Sequence, residues 1–401
     1  MIAAGDFEDA LRSLTHPGAT IALGDGVGRP GTATDVGHIG SALSRIARAI
    51  GGIRLVVGWL PAPVEGIEPD AFREIVALMP GWGARTLTSC PNGTFVPTRL
   101  SATPALLSGR LMPDVLITRL VRRSDGLHFG TEVSWQRRLV ESGVPVLAII
   151  DDTAPSADAG PPLKPELVSV VGYSEDGPAL IAPTQPDAIH QAIADAVIRF
   201  IPEGARLQVG PGQGGTAVLN RVTTAVNIDT GLLTDAVVDL DRRGLLIGTP
   251  SATYLLGSKA LYDWADGKPI LRGIEYTHDL TRLSRGAPLI AVNTAIEIDP
   301  WGQVNVEGID TKVVGGIGGH PDYCAAGAIS ADGISIIAVL STPQAGLARR
   351  SALVTQLSRP ASTPTFDIDL IVTESGHVDL RGANWEQRRE LIVELFSGRN
   401  S

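Results

Sequence analysis

Short apolar runs and longer stretches with apolar residues three and four positions apart take turns along this chain. The runs at residues 53–57, 115–117, 146–150, 207–209, 289–292, 334–339 and 369–372 are rich in Ile, Val and Leu and flanked by turn formers, which predicts strands buried on both faces. Helical spacing predicts helices over residues 7–14, 35–50, 188–200 and 384–396. Strands alternating with helices imply an α/β protein whose mainly parallel sheets are covered by helices.

Two junctions repeat one form. Gly18-Ala-Thr-Ile-Ala-Leu-Gly-Asp-Gly-Val-Gly28 and Gly204-Ala-Arg-Leu-Gln-Val-Gly-Pro-Gly-Gln-Gly214 share their Gly-Ala starts, their apolar strand positions and their later glycines, each leading from strand through a Gly-rich turn to a helix. The chain therefore reads as two related open α/β domains. The turn-rich stretches at residues 155–165 and 173–186 place the boundary near 174–187, giving domains 1–182 and 183–401. Convergence of any Gly-rich turn on this form is the other explanation of the likeness. Ligands on open parallel sheets sit beyond the carboxyl ends of the strands, so facing halves would form a cleft lined by both loops.

In the second loop, backbone N–H groups at Gly212, Gly214 and Gly215 open a helix and suit an anion or a thioester oxygen. Gly210-x-Gly212-x-x-Gly215 also satisfies the dinucleotide fingerprint, with Asp229 about where a ribose-binding acid would lie. Pro211 stiffens that tight turn, and such a pattern arises readily by chance in a chain with 46 glycines.

Composition narrows the classes. With 44% hydrophobic residues but no apolar run near the ~20 needed to span a bilayer, the chain is expected to be globular and not a membrane protein. A net charge of −10 and an aromatic content of 4% argue against nucleic-acid binding. The acidic N-terminus lacks the pattern of a signal peptide, which makes the cytoplasm the expectation, and Cys90 and Cys324 read as two reduced thiols. His278-Asp279 and His320-Pro-Asp322 hold possible ligands without metal-site spacing, so no metal is expected, and Gly-x-Ser-x-Gly is missing.

Several ordered motifs then point one way. Leu289-Ile-Ala-Val-Asn-Thr-Ala-Ile-Glu-Ile-Asp-Pro-Trp-Gly-Gln-Val-Asn305, Gly315-Gly-Ile-Gly-Gly-His-Pro-Asp322, Ser335-Ile-Ile-Ala-Val-Leu-Ser-Thr342 and Ile371-Val-Thr-Glu-Ser-Gly-His-Val-Asp-Leu-Arg-Gly382 resemble the signatures of the acetyl-CoA hydrolase/transferase family, within the class I CoA-transferases. Leu100-Ser101 and Pro113-Asp-Val-Leu-Ile117 are weaker landmarks of the same kind. The resemblance implies the class I CoA-transferase fold, coenzyme A as a substrate thioester in place of NAD, and a homodimer. It also implies that Gly318, Gly319 and His320, with Gly212, Gly214 and Gly215, line the oxyanion and CoA-binding region.

Two departures set this chain apart from the pattern. In the family a catalytic glutamate lies four residues before a motif that here reads Asp235-Ala-Val-Val-Asp-Leu240, and that position is Gly231. Glycine cannot attack an acyl-CoA to form an anhydride and then a glutamyl thioester. Asp229 shares the strand face of Gly231 but is ~6.5 Å away along it and one carbon shorter, which makes it a poor substitute. Where the family has an asparagine that polarises the thioester carbonyl, this chain has His278 or Asp279. An imidazole near neutral pKa there would serve as general base for water. The expectation is an acyl-CoA hydrolase without a glutamyl-CoA intermediate, with His278 and Asp229 as the catalytic candidates. Acyl-CoA:carboxylate CoA-transfer, hydrolytic C–C cleavage of a CoA-activated compound, and an inactive CoA-ester-binding scaffold are the alternatives.

Overall fold

Ile, Val and Leu runs too short for helices become the central strands of two sheets. The computed structural model describes residues 6–342 and 351–397, and within them the chain forms two compact units. The first comprises Met1–Thr98, Ala102–Ile181 and Thr253–Glu275, and the second Arg99–Ser101, Ala182–Ala252 and Tyr276–Ser401. A division at 182/183 thus omits two crossings, since Arg99–Ser101 belongs with the second unit and Thr253–Glu275 with the first. Both crossings are held by backbone pairing: Leu100 N donates to Gly318 O, and Val133 N to Thr253 O. Among the described residues no helix is long and apolar enough to cross a membrane.

The first unit is built on an eight-stranded sheet of β1 (Thr20–Leu23), β2 (Arg54–Val57), β3 (Glu74–Ala77), β4 (Gly93–Phe95), β5 (Val115–Arg123), β6 (Gly126–His128), β7 (Val146–Ile150) and β8 (Val168–Tyr173). Their order is β8-β7-β5-β1-β2-β3-β4, all parallel, while β6 pairs antiparallel with β5. The strands β3, β4, β6 and β8 had no clear signal, because Glu74, Thr94, His128 and Gly172 interrupt their apolar patterns. The helix expected over 35–50 begins later, as α1 (Ile39–Ile50), because Asp35 and Gly37, both at positive φ, turn a small hairpin between Thr32–Ala33 and Gly37–His38. Ile39, Leu43 and Ile46 of α1 then pack with Ile21, Leu55 and Ile117 of the sheet, and each such side chain contributes about 1.5–3 kcal/mol by burial. Gly51 ends the helix at φ 82, its N–H on Ala47 O.

The second unit is built on a six-stranded sheet of β9 (Arg206–Val209), β10 (Asn227–Ile228), β11 (Leu289–Asn293), β12 (Ile334–Ala338), β13 (Leu370–Thr373) and β14 (Gly376–Asp379). Their order is β10-β9-β11-β12-β13-β14, parallel except for the last pair. The assigned strand stops at Ile228, but the chain stays extended beside β9 through Thr230: Asp229 N donates to Leu207 O, while on the other edge Thr230 N donates to Ser251 O and Ser251 N to Ile228 O.

The two glycine loops differ in what fills them. In the first unit Glu132 lies against the loop. A Cβ at Gly26 would lie 2.5 Å from its Oε2 and one at Gly28 2.4 Å from its Oε1. Gly28 N and Thr131 Oγ1 both donate to Glu132 Oε2. Asp25 Oδ2 accepts from Ser134 Oγ and Tyr254 OH. This loop therefore satisfies an N–H with the protein's own carboxyl. In the second unit, Cβ atoms at Gly210, Gly212 or Gly214 would meet nothing within 4 Å, whereas one at Gly215 would lie 2.0 Å from Gly210 O. Among the described residues there is thus space beside the first three glycines, though Gly210 N already donates to Val292 O, and the last lets the turn close on itself.

Burial pushes Asp25 up to about 6 and Glu132 up to about 8. Both carboxyl groups bind protons more tightly folded than unfolded, so their stabilisation is complete below about pH 4 and is lost as pH rises through the folded values. Glu132→Gln keeps a neutral group of the same shape. Between pH 5 and 9 the native protein should lose on the order of 5 °C more in Tm than Glu132→Gln does. Parallel Tm curves for the two proteins would show that Glu132 does not titrate in this way.

Candidate active site

Three neighbouring parallel strands of the second unit end on the residues of interest. From β9 the chain enters the Gly210–Gly215 turn and then helix α2 (Gln213–Arg221), whose first turn has no side-chain cap and so leaves N–H groups unclaimed by one. From β10 it passes through Asp229, Thr230 and Gly231, with Thr230 Oγ1 donating to Val209 O. At the end of β11, Asn293 Nδ2 donates to Gln208 Oε1 at 2.9 Å.

Asp229 is buried and committed to two guanidinium groups. Arg282 grips it in a fork, Nη1 to Oδ2 at 2.7 Å and Nη2 to Oδ1 at 2.8 Å, and Arg206 Nη1 lies 3.4 Å from Oδ2. Arg282 Nε is in turn spent on Tyr276 O, and the Tyr276 ring stacks 4.1 Å from its Cζ. A carboxylate whose two oxygens are both bonded this way is an anchor with little nucleophilic capacity.

His278 follows the short helix α3 (Ile274–Thr277) and precedes α4 (Leu280–Leu283). Asp279 caps α4 through Arg282 N and is exposed, so the residue turned toward Gly231 is His278. A Cβ on Gly231 would lie 3.3 Å from His278 Nε2 and 3.4 Å from Cε1; a Cβ on Gly319 would lie 2.3 Å from Nε2. The imidazole thus stands between two α-carbons that carry no side chain. Tyr323, on helix α5 (His320–Ile329), covers the ring with centroids 4.9 Å apart, and Nδ1 lies 2.9 Å from Thr277 Oγ1. Nε2 is buried with no hydrogen-bond partner among the described residues.

Burial, reinforced by the charge of Arg282, pushes His278 down to about 3. The near-neutral imidazole expected from its residue type is corrected to a ring that is uncharged throughout the physiological range. That makes it a weak proton sink and a permanent neutral hydrogen-bonding group. His320 differs again: Nδ1 lies 2.7 Å from Thr363 Oγ1 and Nε2 2.8 Å from Thr294 O, so both nitrogens are tied to protein, and burial lowers it to about 4. It ties the start of α5 to Thr294 and Thr363. Gly318, at φ 61, and Gly319 supply the turn ahead of α5.

Other motif residues prove structural. Glu297 Oε2 accepts from Asn305 Nδ2 and Ser358 N, and Asp299 Oδ1 from Trp301 N and Gln303 N. Ser101 Oγ donates to Asp322 Oδ1 at 2.6 Å, joining two of the sequence landmarks. The partners that pattern reading missed are Thr277, Tyr323, Arg206 and Arg282. Only Thr277 and Arg282 carried a local signal, lying one residue before and four after His278.

Residues 257–397 match the acetyl-CoA hydrolase/transferase C-terminal domain. Over 337 residues the chain is 24% identical to the 4-hydroxybutyrate coenzyme A transferase of Clostridium kluyveri, covering 80% of this chain and 78% of that protein. Both findings support the acetyl-CoA hydrolase/transferase family for this chain. Another relative, the acetyl-CoA hydrolase of Candida albicans, is 25% identical over 261 residues, which is 59% of this chain and 48% of that protein. The chain thus spans about half the length of that relative. Among solved structures, RipA from Yersinia pestis superposes with a TM-score of 0.84 at 20% identity, over 98% of this chain and 93% of that one. The fold of this chain is the class I CoA-transferase fold.

The packing of Gly319 on His278 has a measurable consequence. Gly319→Ala should cost about 2–3 kcal/mol, because its Cβ collides with a ring that cannot retreat past Gly231 and Tyr323. In a His278→Ala background most of that cost should vanish, giving a coupling of about 1–2 kcal/mol in a double-mutant cycle followed by urea unfolding. Additive effects would mean that the ring and the glycine are not in contact.

Proposed function

We propose that this chain binds an acyl-CoA thioester and hydrolyses it with water, without a glutamyl-CoA intermediate. The observation that carries this reading is the position of Gly231: it offers no carboxylate, and the volume over its α-carbon is held by the His278 imidazole. The nearest acid along the chain, Asp229, is neutralised by Arg282 and Arg206. Names among the relatives include both transferases and hydrolases, and the lack of a side chain at 231 favours the hydrolytic branch.

In this reading the open backbone at Gly212 and Gly214 and the α2 N-terminus receive an anionic part of the substrate. The N–H of Gly319 is the group assigned to the thioester oxygen. His278 acts as a neutral acceptor that orients the attacking water through Nε2. A buried polar atom without a partner costs about 1–3 kcal/mol, a cost that a bound water or substrate would remove. Because Nε2 is packed against Gly231 and Gly319, the mechanism requires the Gly318–Gly319 turn to shift when substrate binds.

The same tight packing favours a second reading, a CoA-ester-binding scaffold without turnover, in which His278 simply fills the space over Gly231.

Hydrolysis predicts that acetyl-CoA or butyryl-CoA releases free CoA with no carboxylate acceptor present, and that neither hydroxylamine nor borohydride traps an enzyme adduct. His278→Ala should lower kcat by about 100-fold. With His278 neutral above about pH 3, the rate of the native enzyme should show no limb from this group between pH 5 and 8. Transfer that depends on an acceptor, with a trapped adduct, would overturn the reading, and binding of CoA esters without release of CoA would select the scaffold.

A further inference from the structure

A neutral imidazole has one N–H and one lone pair, and which nitrogen holds which decides what His278 can offer. Its Nδ1 lies 2.9 Å from Thr277 Oγ1, and its Nε2 has no partner among the described residues. Thr277 is fully buried and doubly secured through its carbonyl oxygen, which accepts from Tyr323 OH at 3.0 Å and from Arg282 Nη2 at 3.4 Å. Tyr323 therefore does two things: its hydroxyl fixes the backbone that carries Thr277, and its ring lies against the imidazole that Thr277 touches. Tyr323 also sits one turn into α5 from Gly319, the residue that leaves room for Nε2.

An orphaned buried N–H is rarer than an under-satisfied acceptor, so the proton belongs on the nitrogen that has an oxygen to receive it. We infer that Thr277 is the positioning residue of the site, accepting the Nδ1–H of His278 so that the Nε2 lone pair is turned toward Gly231 and Gly319. The inference rests on the hydrolytic reading above for its catalytic meaning, because only a lone pair on Nε2 can accept a hydrogen bond from an attacking water. Tyr323 supports the arrangement from behind. The guanidinium of Arg282 acts in the same sense, since its positive charge disfavours a second proton on the ring.

The test uses the full chain with 15N-labelled histidine. Imidazole nitrogen shifts report the tautomer, and the His278 resonances are those lost in His278→Ala. The native protein and Thr277→Ser should both show His278 as the single Nδ1–H form, whereas Thr277→Val, which keeps the shape but loses the hydroxyl, should show a mixture. With acetyl-CoA and butyryl-CoA as probes, Thr277→Val should lose about tenfold to 100-fold in kcat with KM changed less than about twofold, and Thr277→Ser should recover most of that loss. An Nε2–H tautomer in the native protein overturns the inference even if no variant folds. So does a Thr277→Val protein whose tautomer and kcat are unchanged while His278→Ala is inactive. If His278→Ala retains the native rate, the hydrolytic reading falls instead, and the tautomer spectra still decide what Thr277 does.

Discussion

Two α-carbons without side chains, Gly231 and Gly319, hold a buried imidazole between them, and the chemistry open to the second unit depends on that exclusion of volume. An added Cβ would approach His278 Nε2 to 3.3 Å from one side and 2.3 Å from the other. A Cβ at 231 would be in tight contact with the ring, and one at 319 would collide with it. Gly231 and the imidazole of His278 are therefore one structural feature, with Tyr323 and Thr277 against the ring. Burial in this slot, with Arg282 nearby, is also what keeps the ring uncharged.

The surrounding charges are arranged so that the slot stays neutral. Asp229 could have placed a carboxylate two residues from Gly231, but Arg282 and Arg206 draw it aside and hold it. Removing one member of such a buried set leaves the others uncompensated, so the cluster persists as a unit and serves rigidity. The two related glycine turns have diverged by the same logic of occupancy. Glu132 lies against the turn of the first unit and takes up one of its N–H groups, while the turn at Gly210–Gly214 keeps space beside its glycines.

Local pattern reached a good part of this. The parallel strands at Val146–Ile150, Arg206–Val209, Leu289–Asn293 and Ile334–Ala338 stood out because strands buried on both faces need unbroken apolar runs. Gly93–Phe95 and Gly126–His128 did not, because edge and antiparallel strands tolerate polar residues. The shift in the start of α1 came from a hairpin whose positive-φ residues, Asp35 and Gly37, sit inside a stretch with helical spacing. The family likeness rested on several ordered motifs, which is why it extended to Gly231 and narrowed the neighbouring choice to His278 or Asp279.

Residue order alone gave the α/β class, the family likeness and the lack of a carboxylate at 231, since each is a property of local pattern or of identity at one position. Tertiary structure decided the rest. That His278 faces Gly231 while Asp279 caps a helix, that Asp229 is bound by Arg206 and Arg282, and that Glu132 reaches the first glycine turn are contacts between residues far apart in the chain. The ionisation of His278 belongs to the same class. A ring that would titrate near 6.5 in water is held neutral by burial and a neighbouring guanidinium, and neither can be read from the letters around position 278.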